Sequence, residues 1–221
     1  SLVIATGGLS IPTMGATGYG YQLAKQFGLN VLETSAALVP FTLSGATQQA
    51  FASISGVSLT ATVENSHVSF TDELLFTHRG LSGPVILQIS NYWKIGEAIT
   101  INFLPEISLQ TKITEWKNTS GKQFIKTLLS QLLPKRFILI CLPKHLQKKT
   151  VAELDRNDIE SLCACFHTFS LIPSGTEGYR TAEVTRGGVD TDEISSKTFE
   201  SKKVKGLYFI GEVLDVAGWL G

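Results

Sequence analysis

Two short stretches at opposite ends of the chain decide the fold: Val3-Ile4-Ala5-Thr6-Gly7-Gly8 and Leu207-Tyr208-Phe209-Ile210-Gly211-Glu212-Val213-Leu214-Asp215. Each is an apolar run of strand type that glycine breaks. A glycine there lets backbone come close to a ligand, and the carboxyl edge of an open α/β sheet is where cofactors bind. After the second run come the carboxylates Glu212 and Asp215, suited to accepting hydrogen bonds from hydroxyls. Taken singly, each stretch reads as well as a strand entering a tight turn or an acidic loop.

Between these ends the texture changes in blocks. Tyr21 to Phe27 reads as a short helix closed by Gly28, and Val31-Leu32 opens an extended stretch reaching Phe41. Residues 57–63 and 98–103 alternate apolar and polar with period two, as half-buried strands do. A helix between them is expected to start with Ser82 as N-cap and Pro84 in its first turn, placing Val85, Ile86, Ile89 and Trp93 on one face. Residues 109–168 turn lysine-rich and helical, with capping-box patterns at Ser120–Gln123 and Asn157–Glu160; Pro134 is expected to stop the first of these helices. Residues 134–142 fit helix or strand by pattern, and helix is the reading adopted. The chain then returns to extended structure and ends on the apolar run at 206–211.

Composition bounds the function. With 43% hydrophobic and 17% charged residues, the chain is no disordered segment. Its 19 basic and 19 acidic side chains give no bulk electrostatic footprint, so neither nucleic acid nor a membrane surface is expected as a partner. No apolar run approaches the roughly 18 residues of a membrane helix. Three cysteines make no disulfide framework and fit a reducing cytoplasm. There is no G-x-G-x-x-G, Cys163 and Cys165 are misplaced for a zinc pair and Cys163 reads as core, and His67, His145 and His167 lack partners at ligand spacing. No metal site is expected. The short basic run from Lys144 to Lys149 reads as a solvated helix end.

Together the two end stretches are far more specific than either alone. The pair resembles two FAD-contacting motifs of glutathione-reductase-like flavoproteins, an Ala-Thr-Gly strand end and a terminal strand ending in Gly-Asp or Gly-Glu. Residues 74–84 (Leu-Leu-Phe-Thr-His-Arg-Gly-Leu-Ser-Gly-Pro), residues 175–189, and Gly211 to Val216 followed by Gly218 are similar to signatures of BaiN-like bacterial flavoproteins, a family also labelled aminoacetone oxidase or 3-dehydro-bile-acid reductase. The resemblance runs along essentially the whole chain. It implies an α+β fold: a β-rich, barrel-like insert and a small helical domain, flanked by edges of a glutathione-reductase-like FAD domain. The implied division is 1–38 (FAD-domain edge), 39–108 (insert, first part), 109–168 (helical), 169–205 (insert, return) and 206–221 (closing strand).

The same resemblance implies FAD as cofactor, with NAD(P)H possible as reductant, and a small organic substrate. Glu212 would hold the ribityl chain, and Gly7 and Gly8 would lie near the adenosine and pyrophosphate. Thr6, Gly187, Gly188, Gly211, Asp215 and Gly218 complete the implied cofactor set. No residue has the paired geometry of a general base; Thr185 and Arg186 in the Glu183–Val189 loop, and His78 and Arg79 before the helix at Pro84, are the catalytic candidates. Oxidation of a small amine and reduction of a conjugated carbon–carbon bond compete as chemistries. The alternative is a non-catalytic cap that gates substrate or binds a partner.

The family's glycine-rich pyrophosphate loop and its Gly-Gly-Tyr-Asn helix start are not in this sequence. The chain opens on Ser1 and stops at Gly221, and is expected to be the interior of a larger flavoprotein whose other FAD-domain segments are its natural partners. Pyrophosphate capture is the main polar hold on a dinucleotide. The 221-residue chain purified alone is therefore expected to be colourless and inactive; a preparation with stoichiometric flavin absorbance at about 450 nm would overturn this.

Overall fold

The computed structural model describes residues 1–219; of the expected closing segment, positions 220 and 221 lie outside the described residues. In chain order the elements are β1 (Leu2–Ile4), α1 (Tyr19–Gln26), β2 (Val31–Ala37), β3 (Phe41–Thr42), α2 (Gly45–Ala52), β4 (Ser58–Glu64), β5 (Ser69–Phe76) and β6 (Gly80–Ser82). Next come α3 (Pro84–Ser90), β7 (Ile99–Asn102), α4 (Leu109–Ser120), α5 (Ile125–Leu129), α6 (Lys135–Cys141) and α7 (Arg156–Phe166). The chain closes with β8 (Phe169–Leu171), β9 (Gly175–Thr176), β10 (Val184–Val189) and β11 (Leu207–Phe209). They form two compact units: Ser1–Pro40 with the chain from Thr176 onward, and Phe41–Gly175. The result is a mixed α+β chain. Among the described residues no helix is long and apolar enough to cross a membrane.

The Phe41–Gly175 unit is built on one sheet with strand order β8-β7-β4-β5-β6-β3-β9. Its spine is the β4–β5 hairpin, running in register from Ser58 opposite Leu75 to Glu64 opposite Ser69. The period-two pattern of 57–63 is realised here: Leu59, Ala61 and Val63 face the core. The helices cover that face with Val85, Ile86 and Ile89 of α3, Ile113 and Trp116 of α4, and Leu162 and Phe166 of α7. At the centre Phe137 of α6 meets Phe103 edge-on at 4.6 Å and lies 5.4 Å from Phe76. Residues 135–141 are helical, as adopted above.

Several expected helix starts differ. Ser82 is the last residue of β6, and Gly83 caps α3 with a φ of +91° that a side chain there would strain. Ser120 ends α4 rather than opening a helix, and Phe124 caps α5. The helix does not run on to Pro134; it stops at Leu129, and Pro134 instead caps α6. The capping box of α7 sits two residues earlier than Asn157–Glu160. Asp155 accepts from the Asp158 N–H (2.8 Å), while Asp158 accepts from the Asp155 N–H (3.1 Å). Both registers satisfy a box pattern, and the one that lets buried Asp158 also take Lys149 Nζ at 2.6 Å wins. Burial alone would raise that carboxyl; Lys149 and the Asp155 N–H outweigh it and hold it below the usual range.

The other unit holds two small sheets. β1 and β11 run parallel, with Ile4 opposite Phe209, and β2 pairs antiparallel with β10. Its core gathers Ile4, Ala24, Leu29, Val189, Leu207 and Phe209. Residues 176–205, expected to return to the barrel-like insert, belong instead to this unit, because β10 finds its ladder on β2. β1 is also less buried than its apolar run suggests: Leu2 and Val3 are 45% and 54% exposed.

His167, expected to stand alone, pins this part of the core of the Phe41–Gly175 unit. Its Nε2 accepts the Leu109 N–H at 3.1 Å, and its Nδ1 lies 2.9 Å from Asn102 Oδ1. Burial pulls its pKa below the ordinary histidine value, so the neutral ring is the one that folds in. An acid-depressed group contributes stability above its unfolded pKa of about 6.5 and loses it as pH falls through the lower folded value. His167→Ala, which leaves the buried Leu109 N–H unpaired, is expected to cost about 1–3 kcal/mol at pH 7.5. Its melting temperature should approach that of the unsubstituted protein as pH drops below the ordinary histidine value of about 6.5, as read by calorimetry at several pH values.

Candidate functional site

The parallel pair β1–β11 sets the site. The Ile210 N–H donates to the Ile4 carbonyl at 3.0 Å, so the chain leaves both strands side by side at their carboxyl ends. One exit carries Thr6-Gly7-Gly8 and the other Gly211-Glu212. Gly7 and Gly211 have φ of +72° and +77°, and a Cβ on either would meet nothing within 4 Å. These two glycines turn the chain sharply and leave open backbone at the strand ends.

Behind that open edge lies a tight knot. Thr185 of β10 is fully buried; its N–H donates to Glu212 Oε1 at 2.6 Å, and its Oγ1 accepts the Leu9 N–H at 2.8 Å. Ser10 Oγ lies 3.1 Å from the same Oγ1. A Cβ on Gly8 would stand 2.5 Å from Thr185 Oγ1 and 2.8 Å from Glu212 Oε1. Gly8 is thus required by its own neighbours. The hydroxyl of Thr185 braces the 8–10 turn, which makes Thr185 a positioning residue. Glu212 is half-buried with one oxygen fixed, and Oε2 has no partner among the described residues.

A second tie repeats the arrangement one turn on. The Gly187 N–H donates to Asp215 Oδ1 at 3.0 Å, where β10 shifts register against β2 between Arg186 and Gly188. The resemblance implies Gly187 and Gly188 as part of the cofactor set. They make room for the chain itself: a Cβ on Gly187 would strike the Glu33 carbonyl, and one on Gly188 would lie 2.7 Å from the Val213 carbonyl. Arg186 is exposed, with its Nε on Ser35 Oγ at 3.2 Å, and Gly218 is exposed. His78 and Arg79 belong to the Phe41–Gly175 unit, in an exposed turn that Thr77 Oγ1 closes by accepting the Arg79 and Gly80 N–H groups.

Two side chains that the sequence did not single out belong here. The phenol oxygens of Tyr21 and Tyr179 are buried with no hydrogen-bond partner among the described residues. Burial, then the charge of Glu212 and the neighbouring Tyr179, push the Tyr21 hydroxyl up to about 12. The Tyr21 phenol therefore stays protonated, a donor within the field of the Glu212 carboxylate. Tyr21 enters through α1, whose Gly20 packs against Thr6 and Val213. The only cue in the sequence was a tyrosine just past the glycine pair at 18 and 20, indistinguishable from an ordinary core aromatic. The thiols of Cys141, Cys163 and Cys165 are all raised by burial and suit no thiolate chemistry; Cys163, read as core, is half-buried.

A family model described as HI0933-like protein barrel and H2TH domain matches residues 35–184. The chain belongs to this family. The match covers the sheet and helices of the Phe41–Gly175 unit and stops short of Gly7, Gly8, Gly211 and Glu212. The chain is 49% identical over 223 residues to a protein named ribosomal RNA dihydrouridine synthase from Haemophilus influenzae, covering 100% of this chain and 55% of that protein. It is 50% identical over 228 residues to a protein of the same name from Escherichia coli, covering 100% and 56%. A third relative, named 3-dehydro-bile acid delta(4,6)-reductase, from Clostridium scindens, is 30% identical over 241 residues, covering 100% and 57%. The chain thus spans about half the length of the curated relatives it matches, and the BaiN-like resemblance is a distant fit beside the two dihydrouridine synthases.

The knot makes a direct forecast. Thr185→Val keeps the shape but removes the acceptor of the Leu9 N–H, and is expected to cost about 1–3 kcal/mol. Thr185→Ser, which keeps the hydroxyl, should lie near the unsubstituted protein. Urea denaturation, with limited proteolysis of the 6–10 turn, reads both.

Proposed function

We propose that this chain is the greater part of the substrate and cofactor-edge region of a flavin-dependent reductase that converts uridine in ribosomal RNA to dihydrouridine. The observation that carries the reading is identity of about one half along the entire chain with two proteins named for that product. The third relative supports the reaction type. Its name, like theirs, describes saturation of a conjugated carbon–carbon bond, and this favours reduction over amine oxidation. On this reading the substrate is ribosomal RNA, in place of the small organic molecule implied by the resemblance and against the absence of nucleic acid expected from composition.

The residues at the β1–β11 edge fit one side of an FAD site. Open backbone at Gly7 and Gly211 and the second oxygen of Glu212 are what a ribityl chain and its neighbouring phosphates need. When bound, FAD supplies a two-electron carrier that takes hydride from NAD(P)H and hands it on. Saturating the C5–C6 bond of uridine takes one hydride at one carbon and one proton at the other. Within this chain, Thr185 fixes Glu212 so that the second carboxylate oxygen is presented to a hydroxyl. Tyr21 keeps a protonated phenol near it, and the phenol oxygens of Tyr21 and Tyr179 are both buried without a partner among the described residues.

The test uses cells lacking the gene that encodes this chain. Mass spectrometry of nucleosides from their ribosomal RNA should show loss of dihydrouridine, restored by the intact gene. A Glu212→Ala copy should restore less than about a tenth of it, given the lost carboxylate hydrogen bonds. Unchanged dihydrouridine in the deletion strain would remove the proposal.

A further inference from the structure

Net neutrality conceals a sharply uneven charge distribution. Between Glu115 and Glu153 the chain carries eight lysines and arginines and no aspartate or glutamate, so the remainder holds a matching acidic excess. This basic stretch is one piece of structure: the end of α4, then α5, α6 and the turn that returns to a bridge between Phe124 and Thr150. Three of its cations serve the fold. Lys117 Nζ donates to the Leu154 carbonyl, Arg136 to the Ser53 carbonyl, and Lys149 to Asp158. The other five, Lys122, Lys126, Lys135, Lys144 and Lys148, have no ion pair or side-chain hydrogen bond among the described residues.

Lys126 and Lys135 face one groove of about 590 Å³ between α5 and α6. Thr127, Ser130 and Gln131 add hydroxyl and amide groups to its wall, and Leu139, 54% exposed, gives it an apolar side. At the start of α5 the ring of Phe124 is 49% exposed. Unpaired ammonium groups without a competing carboxylate, neutral hydrogen-bonding groups between them and an exposed aromatic face are the combination that holds a nucleic-acid strand: phosphates on the lysines and a base against the ring. An acidic protein surface would meet the lysines equally well but gives no use to the aromatic ring and the groove amides.

We propose that the α5–α6 face is an RNA-docking surface, in which Lys126 and Lys135 bind the phosphate backbone across the groove and Lys122, Lys144 and Lys148 extend the contact. The proposal rests on the reading of the chain as part of a ribosomal RNA enzyme, and it assigns to the Phe41–Gly175 unit the task of holding the substrate. Lys122, Lys135, Lys144 and Lys148 are exposed and Lys126 is half-buried, and none of the five ammonium groups has an internal partner among the described residues. Glutamine, which keeps most of the stem, is therefore the replacement that spares the fold.

The experiment is fluorescence anisotropy of the full chain with a labelled ribosomal RNA stem-loop, over a range of salt. Lys126→Gln/Lys135→Gln is expected to weaken binding at least tenfold at low salt. It should also flatten the plot of log affinity against log salt by about 0.7 for each phosphate no longer neutralised. Lys94→Gln/Lys197→Gln, the same charge change at exposed lysines outside the stretch, should bind within about twofold of the unsubstituted chain. Equal binding by the two double variants, no RNA binding at all, or equally tight binding of polyglutamate would each overturn the surface. Failure of the enzymatic reading looks different: RNA binding would still depend on Lys126 and Lys135, while the deletion strain kept its dihydrouridine.

Discussion

The hydrogen bond from the Thr185 N–H to Glu212 Oε1, 2.6 Å long, joins segments 27 residues apart and meets a third from the other end of the chain. Around it Gly8 must be glycine, because a side chain would collide with both partners. The Thr185 hydroxyl then holds the backbone of Leu9, and so the course of the turn after β1. A buried N–H that lost its acceptor would cost more than the bond's net worth, so the three pieces are fixed together or not at all. The knot stands behind the open edge formed by Gly7 and Gly211 and, with the β1–β11 pairing, fixes its two exits.

The Phe41–Gly175 unit is governed by different physics. Its sheet and helices are held by a continuous apolar core around Phe76, Phe103, Phe137 and Phe166, with few buried polar groups, among them Asp158 and Ser90. Burial on that scale is non-directional and tolerant of surface change. That tolerance allows the outer face of α5 and α6 to carry unpaired lysines at no cost to the fold. The contrast is physical: precise polar ties fix the strand exits of one unit, and a robust apolar core lies beneath the lysine-bearing surface of the other.

Much of the secondary structure was legible in the sequence because it depends on local periodicity. The alternation of 57–63, the apolar face of Val85, Ile86 and Ile89, and the glycine closing α1 all appear in the structure where the pattern put them. Trp93, expected on the same helix face, lies beyond the end of α3 and is buried from the loop that follows. Helix starts were legible only to within a few residues. Ser82, Ser120 and Asn157 each carry capping chemistry, and tertiary demands chose other residues: the ladder took Ser82, α4 ran on to Ser120, and Lys149 selected the box at Asp155. The allegiance of residues 176–205 was not readable, since strand pairing between β10 and β2 is a long-range event with no local mark.

By itself the sequence determined the glycine-broken strands at both ends, the carboxylate that follows the second, and the block of lysines unrelieved by acid. These are matters of residue type and short spacing. Only the tertiary structure decided which glycines stand open and which make room for the chain. Gly8, Gly187 and Gly188 press against their own fold, while Gly7 and Gly211 stand open. It likewise decided which cations are free, by committing Lys117, Arg136 and Lys149 to internal partners. The physical reason is common to both: close approach and pairing are properties of neighbours in space, and neighbours such as Thr185 and Gly8 are 177 positions apart along the chain.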